Sequence, residues 1–250
     1  FVLHHACCNT REDYVDYAQV ALDQGFAVFR WDKRGTGRSG GGGRGSTTQD
    51  AVNAYEVALA QPSVNPRQAV ILAVGAGSAL LGSSFGLFAR HQHPFGAILV
   101  ANMLDPDEVL AVDARTLILM GEDDWNPAAI YGEAAAHAHN ATYRHGATYR
   151  RIQGADRLLM SNGIALHAHA RKVIGSWLYD LRLPSKQFKR TTALVTGAGE
   201  GVGRAAALAL ARAGAAVLVN DLNPDRADTV AEAITAAGGR AFAWQADVTN

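Results

Sequence analysis

Short apolar runs alternate with helix-patterned segments along almost the whole chain, and this alternation limits the fold more than any other feature. Residues 1–5 (FVLHH), 26–31 (FAVFRW), 69–74 (AVILAV), 96–101 (GAILVA), 116–120 (TLILM) and 148–153 (TYRRIQ) read as strands. Between them, REDYVDYAQVALDQG reads as an amphipathic helix closed by Gly25, and DAVNAYEVALAQ as a helix with Asp50 at its N-cap. NGIALHAHARKVIGSWLYDL, residues 162–181, reads as one long helix. Short apolar strands separated by helices predict an α/β protein built on parallel sheets with helices on both faces.

The alternation breaks once, at RLPSKQFKR, residues 182–190, which has a proline, four basic residues and no apolar period. It then restarts with TALVT, GRAAALALARAG, AVLVN, DRADTVAEAITAAGG and AFAWQAD. Two parallel-sheet units are expected: a first domain over residues 1–183, a linker over 184–190 and a second unit over 191–250. The chain opens on Phe1 inside a strand pattern and stops at Asn250 just after another. Both ends suggest a piece of a longer polypeptide.

Composition narrows the partners. The 23 basic and 23 acidic residues cancel, so no basic face for nucleic acid is expected. No apolar run reaches the ~18 residues of a membrane span, and no basic start followed by an apolar core marks a leader. The two cysteines, Cys7 and Cys8, are adjacent. A vicinal disulfide is strained, so two reduced thiols and a cytoplasmic setting are expected. His4, His5, Cys7 and Cys8 are all metal-ligand types, but alternate strand residues diverge and no second pair at zinc spacing follows, so no metal is expected. His137 with His139, and His167 with His169, stand two apart on helical patterns and read as ordinary surface histidines.

The loop DKRGTGRS, Asp32 to Ser39, resembles the Asp-x-Arg-Gly-x-Gly-x-Ser loop of the α/β-hydrolase family. In the family's order, LHH stands at the oxyanion loop, VGAGSA at the Gly-x-Ser-x-Gly nucleophile turn, LMGEDDW at the acid turn, IQGADRLL at the histidine turn and IGSWLYDL at the last helix. That chemistry needs a nucleophile on a strained strand-to-helix turn, a histidine to take its proton and an acid to orient the histidine. Laid on this chain, the resemblance puts Gly77 at the nucleophile and Arg157 at the histidine. Glycine has no nucleophile, and arginine stays protonated; of the three groups only Asp124 remains. Ser78, one residue past Gly77, and Ser84, inside the string GSSFG, are the alternative nucleophiles of an active ester or thioester hydrolase. A non-catalytic interaction or acyl-binding scaffold is a further reading.

TGAGEGVG, Thr196 to Gly203, follows a strand and opens a helix, and it resembles the Thr-Gly-x-x-x-Gly-x-Gly fingerprint of the short-chain dehydrogenase/reductase family. The resemblance covers residues 191–250 and implies a dinucleotide site. Gly197, Gly199 and Gly201 would let the backbone turn and approach a pyrophosphate. Gly203, after Val202, would let the helix pack against the strand, and the helix N-terminus would face the phosphates. Asp221, followed by Leu222, ends the next strand where an acid holds the ribose hydroxyls. Asp247 and Val248 stand where the family contacts the adenine. The acid at Asp221 and a second at Glu200 imply NAD over NADP. The family's Tyr-x-x-x-Lys pair does not occur in residues 191–250. The expected whole protein is an NAD-dependent alcohol or ketone oxidoreductase, 3-oxoacyl thioesters among its substrates, assembled as a homo-oligomer.

Overall fold

The computed structural model describes residues 1–3, 10–41, 46–126, 130–182, 188 and 191–248. His4, His5, Cys7 and Cys8 lie outside the described residues, as does most of 184–190. The chain divides into two compact units, Phe1–Trp177 and Leu178–Asn250.

Among the described residues, the first unit is built on a five-stranded parallel sheet. Its strands are β1 (Val2–Leu3), β2 (Val70–Val74), β3 (Gly96–Val100), β4 (Arg115–Gly121) and β5 (Ala147–Ile152), adjacent in that order. β3 is buried at every residue, and β4 at all but its first, which is why these runs carry no polar alternation. On one face, α2 (Thr47–Leu59), α3 (Ala76–His91) and α4 (Tyr131–Thr142) pack Tyr55, Leu81, Phe88 and Ala135 onto Ile71, Leu99 and Ile118. α1 (Val15–Asp23) and α5 (Ala168–Arg182) come together where Gly175 lies beside Gln24 and Val20.

Three local expectations fail in this unit. Residues 26–31 carry no strand among the described residues, although the Val2 N–H donates to the Phe29 carbonyl at 3.2 Å. The N-cap of α2 is Ser46, whose hydroxyl accepts from the Gln49 N–H. Asp50 lies in the first helical turn, where its carboxylate takes two bonds from Arg34 at 2.9 and 2.6 Å. Residues 162–167 are not helical. Asn162 and Gly163 both have positive φ and sit in the turn of a small antiparallel hairpin, β6 (Met160–Ser161) with β7 (Ala165–Leu166). α5 begins only afterwards, so His167 precedes it, and its Nδ1 accepts from the His169 N–H.

The second unit holds β8 (Thr192–Val195), α6 (Gly201–Arg212), β9 (Ala216–Asp221), α7 (Pro224–Ala236) and β10 (Arg240–Gln245). The strands are parallel in the order β10-β9-β8, with Leu194, Leu218 and Phe242 in register. Both crossovers run in the same direction, and right-handed crossovers then place both helices on one face. Val217 and Val219 are buried there against Ala207, Val230 and Ile234. The other face has no helix among the described residues, and Leu194, Phe242 and Trp244 are exposed. The expectation of helices on both faces therefore fails for this sheet. Phe188, expected in the linker, joins this unit: its N–H donates to the Ala213 carbonyl and its ring packs against the core. No described helix is long and apolar enough to cross a membrane.

Candidate functional site

In the first unit the candidate groups gather at the carboxyl ends of the parallel strands, the edge where open α/β sheets bind ligands. The strand-to-helix turn after β2 is centred on Gly75, with φ 51° and ψ −117°. Only glycine enters that region without strain. Gly77, expected at the nucleophile position, lies buried in the first turn of α3, two residues past the bend. This corrects the register: the string Gly-Ala-Gly offers two glycines, and the backbone bends at the first.

Ser78 is fully buried. Its hydroxyl donates to the Gly75 carbonyl at 2.6 Å and accepts from the Met103 N–H at 3.0 Å. It is spent on bracing the turn. Ser84 is buried in the middle of α3, with the Ser83 hydroxyl at 3.4 Å.

Asp124 and Arg157 do meet. The turn carrying Arg157 is organised by Asp156, whose Oδ1 accepts from the Leu158 and Met160 N–H groups. It lies against the end of β4 because Gly121 has no side chain: a Cβ there would overlap the Asp156 carbonyl. Arg157 Nε stands 4.0 Å from Asp124 Oδ1, with only 11% and 1% of the two side chains exposed. Arg157 Nε and Asp124 Oδ2 are both buried without a hydrogen-bond partner. The guanidinium also lies 5.2 Å over the Trp125 ring. An acid and a permanent cation thus meet beyond the carboxyl ends of β4 and β5.

Asp32 holds the glycine-rich loop by accepting from the Arg11 N–H at 2.8 Å and the Arg38 N–H at 3.0 Å. His139, read as a surface histidine, is fully buried. Its Nε2 donates to the Val112 carbonyl at 3.0 Å, while Nδ1 has no partner. Burial lowers its pKa below the usual histidine value.

In the second unit the loop after β8 turns at Gly197 (φ 59°) and Gly201 (φ 54°). Gly203, in the first turn of α6, has no room for a side chain, because a Cβ would overlap the Gly197 carbonyl. A Cβ on Gly199 would come within 2.7 Å of Asp221 Oδ2 and 2.5 Å of the Arg226 Cβ. Asp221, at the end of β9, accepts from the Asn223 N–H at 3.0 Å and the Gly199 N–H at 2.8 Å. Those bonds, the one from Asn223 first, hold its pKa below the ordinary carboxylate value. Asn223 caps α7, with Pro224 at the first helical position. Val202 and Leu222 are exposed on either side of the loop, and Val248 is exposed past β10; Thr196 and Asp247 are exposed as well.

Sequence reasoning missed one contact. Arg226, a turn into α7, reaches back to Glu200, with Nη1 to Oε1 2.7 Å. The signal was in the sequence, an acid inside the glycine loop and a base three residues past the Asn223 cap, but nothing in one dimension says that they touch. The other group that pattern reading did not single out is Gly121.

Comparison with known proteins agrees with this geometry. Residues 191–250 match the short chain dehydrogenase family. Over 71 residues the chain is 44% identical to the 7alpha-hydroxysteroid dehydrogenase of Escherichia coli, a stretch covering 28% of this chain and 26% of that one. It is 60% identical over 59 residues to an uncharacterised oxidoreductase of Methylorubrum extorquens, covering 23% and 24%. The chain thus spans about a quarter of the length of these relatives. The esterase domain of a Rhodothermus marinus protein superposes with a TM-score of 0.52 at 16% identity, over 71% of this chain and 84% of that one; that likeness is one of fold. The match to the serine aminopeptidase S33 family covers residues 1–128, just over half of the chain. The chain therefore belongs to the serine aminopeptidase S33 family, with the α/β-hydrolase fold in its first unit, and continues into a short chain dehydrogenase segment.

Proposed function

We propose that residues 191–250 supply the nucleotide half of an NAD-dependent short-chain oxidoreductase, joined to an α/β-hydrolase-fold domain that no longer hydrolyses. The observation carrying the first part is the loop around Gly199. Gly199 and Gly203 leave no room for side chains, Gly197 and Gly201 turn the backbone, and the carboxylate of Asp221 stands at the end of the neighbouring strand. Residues with this fit would hold a dinucleotide: Gly197 to Gly203 and the start of α6 against the pyrophosphate, Asp221 on the ribose, and Asp247 with Val248 beside the adenine. When bound, the nicotinamide would accept or give a hydride. This chain's own residues bind and orient the nucleotide and, through a carboxylate held ionised at Asp221, prefer a ribose hydroxyl to a phosphate. A 3-oxoacyl or other ketone substrate, a homo-oligomeric whole protein and a cytoplasmic setting are parts of the same reading.

For the first unit, the bend at Gly75 supports a vacated nucleophile position, with Arg157 in place of a base. The burial and double hydrogen bonding of Ser78, and the mid-helix place of Ser84, weigh against either as a nucleophile. The test is calorimetric titration of the 250-residue chain with NADH and NADPH. NADH is expected to bind more tightly, and Asp221→Ala to erase the preference. Tighter NADPH binding, or an unchanged preference in Asp221→Ala, would contradict the assignment.

A further inference from the structure

We propose that Asn220 is the positioning residue for the base end of the nucleotide site: its buried side-chain amide holds the segment after β10 where a base would lie. The inference rests on the dinucleotide reading above and deepens it, passing from the loop that would take the phosphates to the strand end that would take the base. β9 is the middle strand, with β8 on one side and β10 on the other. Asn220 stands one residue before its end and ties both neighbours to it. Its carbonyl accepts from the Ala198 N–H of the glycine loop at 2.8 Å. Its Nδ2 donates to the Trp244 and Ala246 carbonyls, each at 3.1 Å. The main chain of Asn220 therefore secures the loop after β8, and its side chain secures the end of β10.

The second tie reaches where the ladder does not. The register of β9 and β10 ends at Asp221 opposite Gln245. Ala246 lies past that last pair, and its carbonyl is taken by the side chain of Asn220 instead. Only 1% of Asn220 is exposed; an amide buried to that degree is costly to leave unpaired, which fixes the arrangement. A lighter tie joins the same two strand ends at the surface, from Gln245 Nε2 to the Leu222 carbonyl at 3.2 Å. Leu222 and Val248, 67% and 54% exposed, present apolar surface at these two ends. Adjacent strands lie about 4.8 Å apart, so the ends of β8 and β10 stand about 10 Å from each other. A phosphate at the loop after β8, a ribose at Asp221 and a flat base against Val248 then follow in strand order, along the edge where open sheets bind ligands.

Loss of the Asn220 side chain is expected to cost the base and spare the phosphates, because every substitution keeps the main-chain bond to Ala198. The 250-residue chain and its Asn220→Leu and Asn220→Asp variants would be titrated by calorimetry with adenosine monophosphate and with inorganic pyrophosphate. Asn220→Leu is expected to weaken adenosine monophosphate about tenfold and to leave pyrophosphate unchanged. Asn220→Asp keeps the shape but turns the donors into acceptors; an ionised carboxylate gives neither carbonyl a bond, and its protonated form gives one. This variant is expected to bind adenosine monophosphate weakly at about pH 8 and to recover part of the loss by about pH 5.5, relative to the wild type at the same pH. Equal weakening of both probes in Asn220→Leu would mean that the whole unit is loosened, and overturns the proposal. So does unchanged affinity for adenosine monophosphate in both variants, which leaves the dinucleotide reading standing. A wild type that binds neither probe removes both. Circular dichroism checks each fold; where Asn220→Leu does not fold, Asn220→Asp decides alone, and no recovery on acidification overturns the proposal.

Discussion

Gly75 holds a backbone conformation that a side chain enters only at a cost of about 1–3 kcal/mol. That makes it the place where a nucleophile could be restored. Gly75→Ser with Arg157→His is expected to lower the stability of the first unit and to gain labelling by a serine-directed phosphonate. Gly77→Ser with Arg157→His is expected to gain none, since residue 77 is buried inside the helix. Labelling of the Gly77 variant, with the Gly75 variant silent, would reverse the register. His139 gives a second residue-scale expectation. Its pKa is lower folded than unfolded because burial disfavours the cation. The unfolded chain then binds more protons as pH falls below about 6.5, so stability is complete above that value and is lost toward the folded pKa. Urea midpoints of the wild type should fall between pH 7.5 and 5.5. His139→Gln should be weaker at pH 7.5 but lose less over the same interval. An equal loss in the variant would show that the dependence comes from other groups.

At the scale of elements, α6 is seated by an absence. Gly203→Ala would push a methyl group into the Gly197 carbonyl, and overpacking of this kind costs about 1–3 kcal/mol. The second unit has a small core of short residues, so the variant is expected to lose protection from amide exchange in β8 and α6 while β2 to β5 keep theirs. Unchanged exchange in β8 would mean that the loop can yield. What was legible here follows from how each element earns its hydrogen bonds. β2 to β5 are continuous apolar runs, and the glycine loop declares itself by a strand before it and a helix after it. The stretch 26–31 is just as apolar but carries no strand among the described residues, and apolarity alone does not show which partners a segment will find. The hairpin at 160–166 was announced by Asn162-Gly163, the strongest short-range hairpin signal; a helical pattern laid over it hid the turn. The bend at Gly75 was foreseen but misplaced by two residues, because two glycines flank one alanine. The Glu200–Arg226 pair depends on how the loop and α7 pack, which no local pattern encodes.

The two units also differ in how far along the chain their contacts reach. In the second, Thr192 pairs with Ala216 and Ala216 with Arg240, each strand joined to its neighbour by one helix. In the first, Val2 pairs with Leu72, so β1 finds its partner only across two helices and the glycine-rich loop. Closing longer loops costs more chain entropy before any contact repays it, and folding slows as pairing becomes less local. The register therefore carries a consequence in time. The ladder built last during synthesis should form sooner than the one built first, and the first unit should wait with its edge open. Stopped-flow refolding reads this through Trp244, the tryptophan on β10: the phase lost in Trp244→Phe is expected to be the faster one, and loss of the slow phase would refute that order. A chain whose early half settles late spends its first moments with β2 exposed beside β1's vacant place, and that interval is when a chaperone would have most to hold.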